Sequence, residues 1–267
     1  MLRQFQFFFI LATMASGLAA NVCRAQSGGG GDSPILQVTP VPLGLPVIGQ
    51  VYPSGHDSRA KAFNKNYLAR FNAIINENLS EGVVFSGASG FKLDASKLFL
   101  RMQAKESIRV YFLAEGAGYM NSMGFAFTPA GSQTPGTPYL IYPNSSTHTA
   151  KRSNDAPLKQ GDYVDIGNGG NGWQLDFFLI QDAYNVWKYH GERNSKKFTW
   201  FWNDTAKNSD GLQHVVAFAL PDSPYVLIGF EDLTGGGDRD YNDCLFVVDI
   251  GMENIPSLTD DPSSLPN

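Results

Sequence analysis

Tyr225-Val-Leu-Ile-Gly-Phe-Glu-Asp-Leu-Thr-Gly-Gly-Gly-Asp-Arg-Asp-Tyr-Asn-Asp-Cys-Leu-Phe-Val-Val-Asp-Ile250 is the stretch that decides the fold. Its two apolar runs, 225–230 and 244–250, have the length of strands rather than helices, and Gly, Asp and Asn fill the space between them. The unit reads as strand, loop, strand. The same pattern recurs upstream: runs rich in Val, Ile, Phe, Tyr and Trp at 83–85, 98–102, 108–114, 123–127, 139–142, 173–180, 198–202 and 214–220, separated by Gly, Pro, Asn and Asp. About ten strands without interleaved helical patterns predict an all-β fold, a jelly-roll-like antiparallel β-sandwich over 83–253. Residues 128–172, rich in Gly, Pro, Asn and Ser, are expected to be loops.

One amphipathic helix is expected before the sandwich, over 57–82. Phe63, Tyr67, Phe71, Ile74, Ile75 and Leu79 recur at helical spacing, Asp57 or Ser58 stands where an N-cap belongs, and Gly82 follows the last periodic residue. Upstream, the Gly run at 27–31 and Pro34, Pro40, Pro42, Pro46 and Pro53 mark residues 26–56 as a Gly/Pro-rich linker. The Pro/Ser/Asp-rich tail at 254–267 is expected to be disordered.

Residues 1–25 carry Arg3 and Arg24, no acid, and an apolar run of about 14 residues, short of the roughly 20 that span a bilayer. This predicts a secretory signal peptide, an exported protein and no stable membrane span. Cleavage after Ala25 would move the net charge from −5 to about −7. The two cysteines, Cys23 and Cys244, exclude a disulfide scaffold. Lipidation at Cys23 is disfavoured, since Ala20-Asn-Val22 poorly matches the small residues that precede a lipidated cysteine. An acidic chain without a Lys/Arg run also lacks the phosphate-neutralising surface of a nucleic-acid-binding protein.

The chemistry concentrates between the last two strands. Glu231, Asp232, Asp238, Asp240 and Asp243 place five carboxylates within thirteen residues, where the chain average predicts about one, and Arg239 is the sole positive charge among them. Crowded carboxylates raise one another's pKa unless a cation or hydrogen bonds compensate. Hard oxygen donors are what Ca²⁺ takes, six to eight at a time. A calcium site is the simplest expectation, with Asn242 as a further oxygen donor. An EF-hand is rejected: counted from Asp238, the sixth position is Asp243 where glycine is needed, and strand follows instead of helix. A solvated acidic turn is the competing reading.

Residues 229–246, GFEDLTGGGDRDYNDCLF, resemble the signature of the bacterial domain-of-unknown-function family number 4114, which occurs in exported and surface proteins. Further segments fit in order: LDASKL at 93–98, VYFLAEGAGYMNSMG at 110–124, GDYVDIG at 161–167 and NSDGLQH at 208–214. The resemblance spans roughly 90–250. It implies no settled activity, but its acidic positions suggest a metal site or an enzyme, and here they fall on Glu115, Asn121, Glu231, Asp238, Asp240, Asn242 and Asp243. Cys244 departs from the β-branched apolar residue expected there. Glu115 and Asn121 flank a turn between two strands and would complete the coordination sphere if they converge on the later loop.

Together these features predict an exported calcium-binding β-sandwich with a binding or surface-associated role, its partner a glycan or a cell-surface component. A carbohydrate-active hydrolase using Glu115 and Glu231 as paired carboxylates is the enzymatic alternative, and a structural cell-envelope protein is the third. His56, His148, His190 and His214 show no zinc-site spacing, and there is no G-x-S-x-G elbow. In 198–202, Phe198, Trp200 and Trp202 share one face of the strand, either core or sugar platform.

Overall fold

A computed structural model describes residues 42–86, 92–100, 102–129, 132, 134–147, 158–220 and 222–258. The signal-peptide region, most of the linker and the tail beyond 258 lie outside the described residues. In chain order the elements are α1 (Ser58–Asn66), α2 (Leu68–Asn78), β1 (Lys92–Leu93), β2 (Phe99–Leu100), β3 (Ile108–Ala114), β4 (Ser122–Pro129), β5 (Tyr139–Tyr142), β6 (Tyr163–Gly167), β7 (Trp173–Ile180), α3 (Ala183–His190), β8 (Trp200–Trp202), β9 (Val215–Ala219), β10 (Tyr225–Phe230) and β11 (Cys244–Asp249).

The strands build two sheets, and all pairing between strands is antiparallel. One sheet has the order β1-β9-β10-β11-β3-β6; the other runs β2-β7-β4-β5, with β8 on the same edge of β7 as β2. This is the all-β sandwich that the strand pattern predicts. Alternation along each strand sends Val110 and Phe112 of β3, Phe177 of β7, Val226, Ile228 and Phe230 of β10, and Phe246 and Val248 of β11 into one core between the sheets. Phe177 meets Phe246 at 5.1 Å and Phe112 meets Tyr142 at 5.9 Å, so aromatic rings join the two layers.

Both outer faces are covered as well, which is why β10 and β11 are buried throughout and carry no charged side chain before Asp249, the last residue of β11. On the six-stranded sheet, Phe63 and Phe71 lie on Tyr111, Phe218, Tyr225 and Val247. The single helix expected over 57–82 is therefore corrected to two, with a break at Tyr67 (φ −124°, ψ −32°). The break lets Phe63 stack on Tyr111 at 4.0 Å and Phe71 meet Tyr225 at 6.2 Å along a twisted sheet. Asp57 is the N-cap and accepts from Ala60 N at 2.8 Å.

On the other sheet, Leu43, Leu45, Leu140, Phe178, Ile180 and Ala183 form a third cluster, with Trp187, Phe198, Trp200 and Trp202 packed at its margin. The last part of the linker is thus packed structure: Ile48 N donates to Leu140 O, and Tyr52 pairs with Tyr163. At the tail, Leu258 is buried within a 3-10 helix, Ile255–Leu258.

Three local expectations differ from the structure. β6 lies inside the stretch read as loops and supplies an edge strand to the larger sheet. Residues 83–85, read as a strand, pair with no strand; Phe85 N donates instead to Arg239 O at 2.9 Å. α3 interrupts the strand series, its start and stop marked by Asp182 before it and a left-handed Gly191 (φ 72°) after it.

Candidate metal centre

The loop between β10 and β11 crosses one end of the sandwich and is held in an unusual conformation. Gly235, Gly236 and Gly237 all have positive φ, and so do Arg239 (61°) and Tyr241 (57°), which pay for it at about 1–2 kcal/mol each. Tertiary contacts hold that backbone. Arg239 O accepts from Phe85 N, Asn242 O accepts from Gly116 N at 3.1 Å, and Tyr241 packs edge-on against Phe85. Gly237 is required for space as well as φ: a Cβ there would stand 1.9 Å from Glu231 Oε1.

Three of the eight predicted residues converge. Glu231, Asp232 and Asp243 each bring a carboxylate oxygen within 4.8 Å of the other two; the first two are buried and the third is half-buried. Their positions follow from the hairpin. Glu231 and Asp232 leave β10 and Asp243 enters β11, and Asp243 N donates to Phe230 O while Asp232 N donates to Asp243 Oδ2 at 2.8 Å. The Asp243 carboxyl lies at hydrogen-bonding range of both Glu231 and Asp232. Among the described residues, no Lys or Arg side chain forms an ion pair with any of the three.

Electrostatics follow from that arrangement. Burial, reinforced by Asp238 and Asp232, pushes the Glu231 carboxyl up to about 7, although Arg239 N donates to it at 3.0 Å. Burial, then the charges of Asp232, Glu231 and Asp240, pushes Asp243 up to about 8. Asp232 is raised by burial and by Asp182, against the 2.6 Å hydrogen bond it accepts from Asn121 Nδ2. Three acids in contact are stable as neighbours only with shared protons or with a cation among them. Their oxygens are the hard donors that calcium takes.

The other five predicted residues are placed differently. Asn121 is buried and spans the site: its Nδ2 donates to Asp232 while its Oδ1 accepts from Asp182 N at 2.9 Å, so its oxygen is already used. Asp240 accepts from Gly82 N at 2.7 Å and from Asn242 N and Nδ2, tying the loop to the end of the helical layer. Asn242 Nδ2 also reaches Leu79 O. Asp238 is exposed and gathers with the exposed Glu81 and with Asp240, whose oxygens are engaged. Glu115 is half-buried and accepts from Thr147 N at 3.3 Å; it is not among the three converging acids.

Two further residues shape the site. Asp182, left-handed at φ 48°, accepts from Met120 N and raises Asp232 from across the sandwich. His214, fully buried and stacked on Phe201 at 4.1 Å, has Nδ1 at 3.1 Å from Glu231 O and Nε2 at 2.9 Å from Asp210 Oδ2. Burial pushes the Asp210 carboxyl up, but the N–H groups of Gly235 and Leu212 together with His214 outweigh it and hold it at about 2. The pair thus grips the loop at its entry and near its apex. Asp182 stands at the N-cap position of α3, two residues past a predicted strand, without a side-chain bond to the helix's N–H groups, and neither its place nor the four-residue Asp210–His214 spacing is a signal by itself.

Residues 170–251 match the family model described as domain of unknown function (DUF4114). The matched segment runs from β7 to the end of β11 and contains the three converging acids, Asp182, Asp210 and His214, while Glu115 and Asn121 precede it. No curated protein and no solved structure matches the chain.

Proposed function

We propose that this protein is an exported calcium-binding β-sandwich module, with a binding role at a cell surface and the cation held by Glu231, Asp232 and Asp243. The observation that carries the reading is the contact among three largely buried carboxyls with no Lys or Arg side chain paired to them among the described residues. A divalent cation would replace the shared protons as the compensating charge. Bound calcium would supply the compensating positive charge among the three carboxylates; the chain's own part is to hold the acids, with Asn121 orienting Asp232 and Arg239 N orienting Glu231. Export rests on the apolar leader within 1–25, and extracellular modules bind calcium with dissociation constants of about 10⁻⁴–10⁻³ M.

Thermal unfolding of the full chain with calcium and with chelator tests the reading. At a calcium concentration one hundred times the dissociation constant, mass action adds about 2.7 kcal/mol, or about 5–10 °C in a domain of this size. Glu231→Gln is expected to abolish that increment while the protein still melts cooperatively. Equal melting temperatures in calcium and chelator would remove the metal reading.

A further inference from the structure

A cleft of about 380 Å³ opens along the side of the sandwich where β1, the edge strand of the larger sheet, faces the turn that follows β8 on the edge of the smaller one. That volume lies at the small end of the roughly 300–1,000 Å³ that ligand clefts span. Leu93 and Val215, at the margin of the core between the sheets, give it apolar lining. Its frame is fixed from within. Asn203, buried in one wall, spends its whole amide on backbone: Oδ1 accepts from Phe177 N at 2.9 Å, and Nδ2 donates to Ala95 O at 2.7 Å and to Leu175 O at 3.2 Å. Asp94 accepts from Ser96 N and Oγ and so shapes the rim. Three other polar groups of the lining are uncommitted among the described residues. The Thr205 hydroxyl and Gln213 Oε1 have no hydrogen-bond partner, although Gln213 Nε2 donates to Val215 O, and Lys92 Nζ pairs with no carboxylate and lies 5.1 Å over the Phe85 ring.

We infer that this cleft binds a short neutral saccharide. The lining carries one cation, Lys92, and one carboxylate, Asp94, so an ion of either sign meets a like charge there. A neutral ligand with many hydroxyls uses both, since each hydroxyl donates to Asp94 or Gln213 Oε1 and accepts from Lys92 or Thr205. The C–H face of a sugar ring covers Leu93 and Val215, and the small volume sets the length. An extended peptide suits the place less well: strand addition needs a backbone edge to pair with, and β1 is only two residues long. None of the three converging acids lines the cleft, so the inference goes beyond the calcium reading and does not depend on it.

The experiment is saturation-transfer NMR of the full chain, in chelator, against neutral disaccharides of glucose, galactose, mannose and N-acetylglucosamine, with glucuronate and an uncharged tetrapeptide as further probes. The variants are Thr205→Val and Gln213→Leu, one from each sheet's side of the cleft, with melting curves to verify that each folds. Transfer to at least one neutral disaccharide, its affinity weakened about fivefold or more by either substitution, is the expected result. Transfer that neither substitution weakens puts the sugar elsewhere and overturns the assignment of the cleft. Transfer to glucuronate or to the tetrapeptide in place of the neutral sugars overturns the ligand class, and no transfer to any of the disaccharides overturns the inference altogether. Because the samples hold chelator, each of these outcomes is separate from the calcium shift in melting that tests the metal centre.

Discussion

Two acidic regions of this molecule settle their charge in opposite ways. Where α1 meets the six-stranded sheet, every acid has a guanidinium. Arg109 donates to both oxygens of Asp57 and both of Asp165 at 2.8–3.1 Å and lies 3.8 Å over the Tyr163 ring, and Arg59 reaches Asp249 at 2.7 Å. At the loop end, Glu231, Asp232 and Asp243 have one another. The first region carries its counter-charge in the chain; the second leaves it to protons or a cation from solution. A fixed ion pair serves a joint that stays closed, whereas an unfilled demand for positive charge makes the loop answer to its surroundings.

Removing the fixed counter-charge should have the largest effect. Arg109→Met keeps much of the stem over Tyr163 but strands Asp57 and Asp165, and a loss of about 3 kcal/mol is expected, the low end for a broken buried pair because both acids reach solvent. Chemical denaturation should show the same loss with calcium and with chelator, since the joint is independent of the loop. A loss confined to one condition would mean that the two regions are coupled and the contrast is false.

At the other end the sign should invert. Asp243→Asn removes an acid that the metal-free trio has to keep protonated, so the metal-free protein near neutral pH is expected to gain stability, by about 1 kcal/mol, while the calcium increment of about 2.7 kcal/mol disappears. Asp240→Ala separates the loop's framework from its centre. Asp240 accepts from Gly82 N and from Asn242, so its removal should cost about 1–3 kcal/mol in both conditions yet leave the calcium increment in place. Loss of the increment in Asp240→Ala, measured by the same melts, would move the centre toward Glu81 and Asp238.

How much of this contrast is legible in the sequence differs between its halves. The acidic loop announces itself by composition, and the strands on either side by their apolar runs, so the sandwich and the neighbourhood of the site both follow from local pattern. Which acids meet does not. Asp240 is occupied by Gly82, 158 residues away, and Asn121 spends its oxygen on the Asp182 N–H, 61 residues away, so spacing within the loop cannot sort ligands from framework. Glu115 accepts from Thr147 N, 32 residues on, and is not among the three acids whose oxygens meet, a placement that no spacing in the sequence encodes. β6 stayed hidden because its five residues sit in a stretch whose composition is that of a loop, and its place comes from pairing with β3. The Arg109 joint was silent for the same reason: Asp57 reads as a helix cap, and its second role depends on a strand 52 residues later.

The smallest effect is the most discriminating, because the two regions predict opposite slopes of stability with pH. Asp57 is held below its ordinary value: burial alone would raise it, but the hydrogen bonds and charge of Arg109 prevail. Its contribution is therefore present above the unfolded carboxylate range and is lost only in strong acid. Glu231 and Asp243 are raised, to about 7 and about 8, so the folded state holds their protons where the unfolded chain, with carboxylates near 4, has released them. Their contribution is full below about pH 4 and drains away as pH rises through 7 and 8. In chelator, melting temperature should fall by a few degrees between pH 5 and pH 8.5, and calcium should flatten or reverse the slope by displacing those protons. Glu231→Gln should flatten it without calcium. A chelator profile that is level across this range would show that the three acids are ionised and solvated together, and that the loop end differs from the Arg109 joint in exposure rather than in unmet charge.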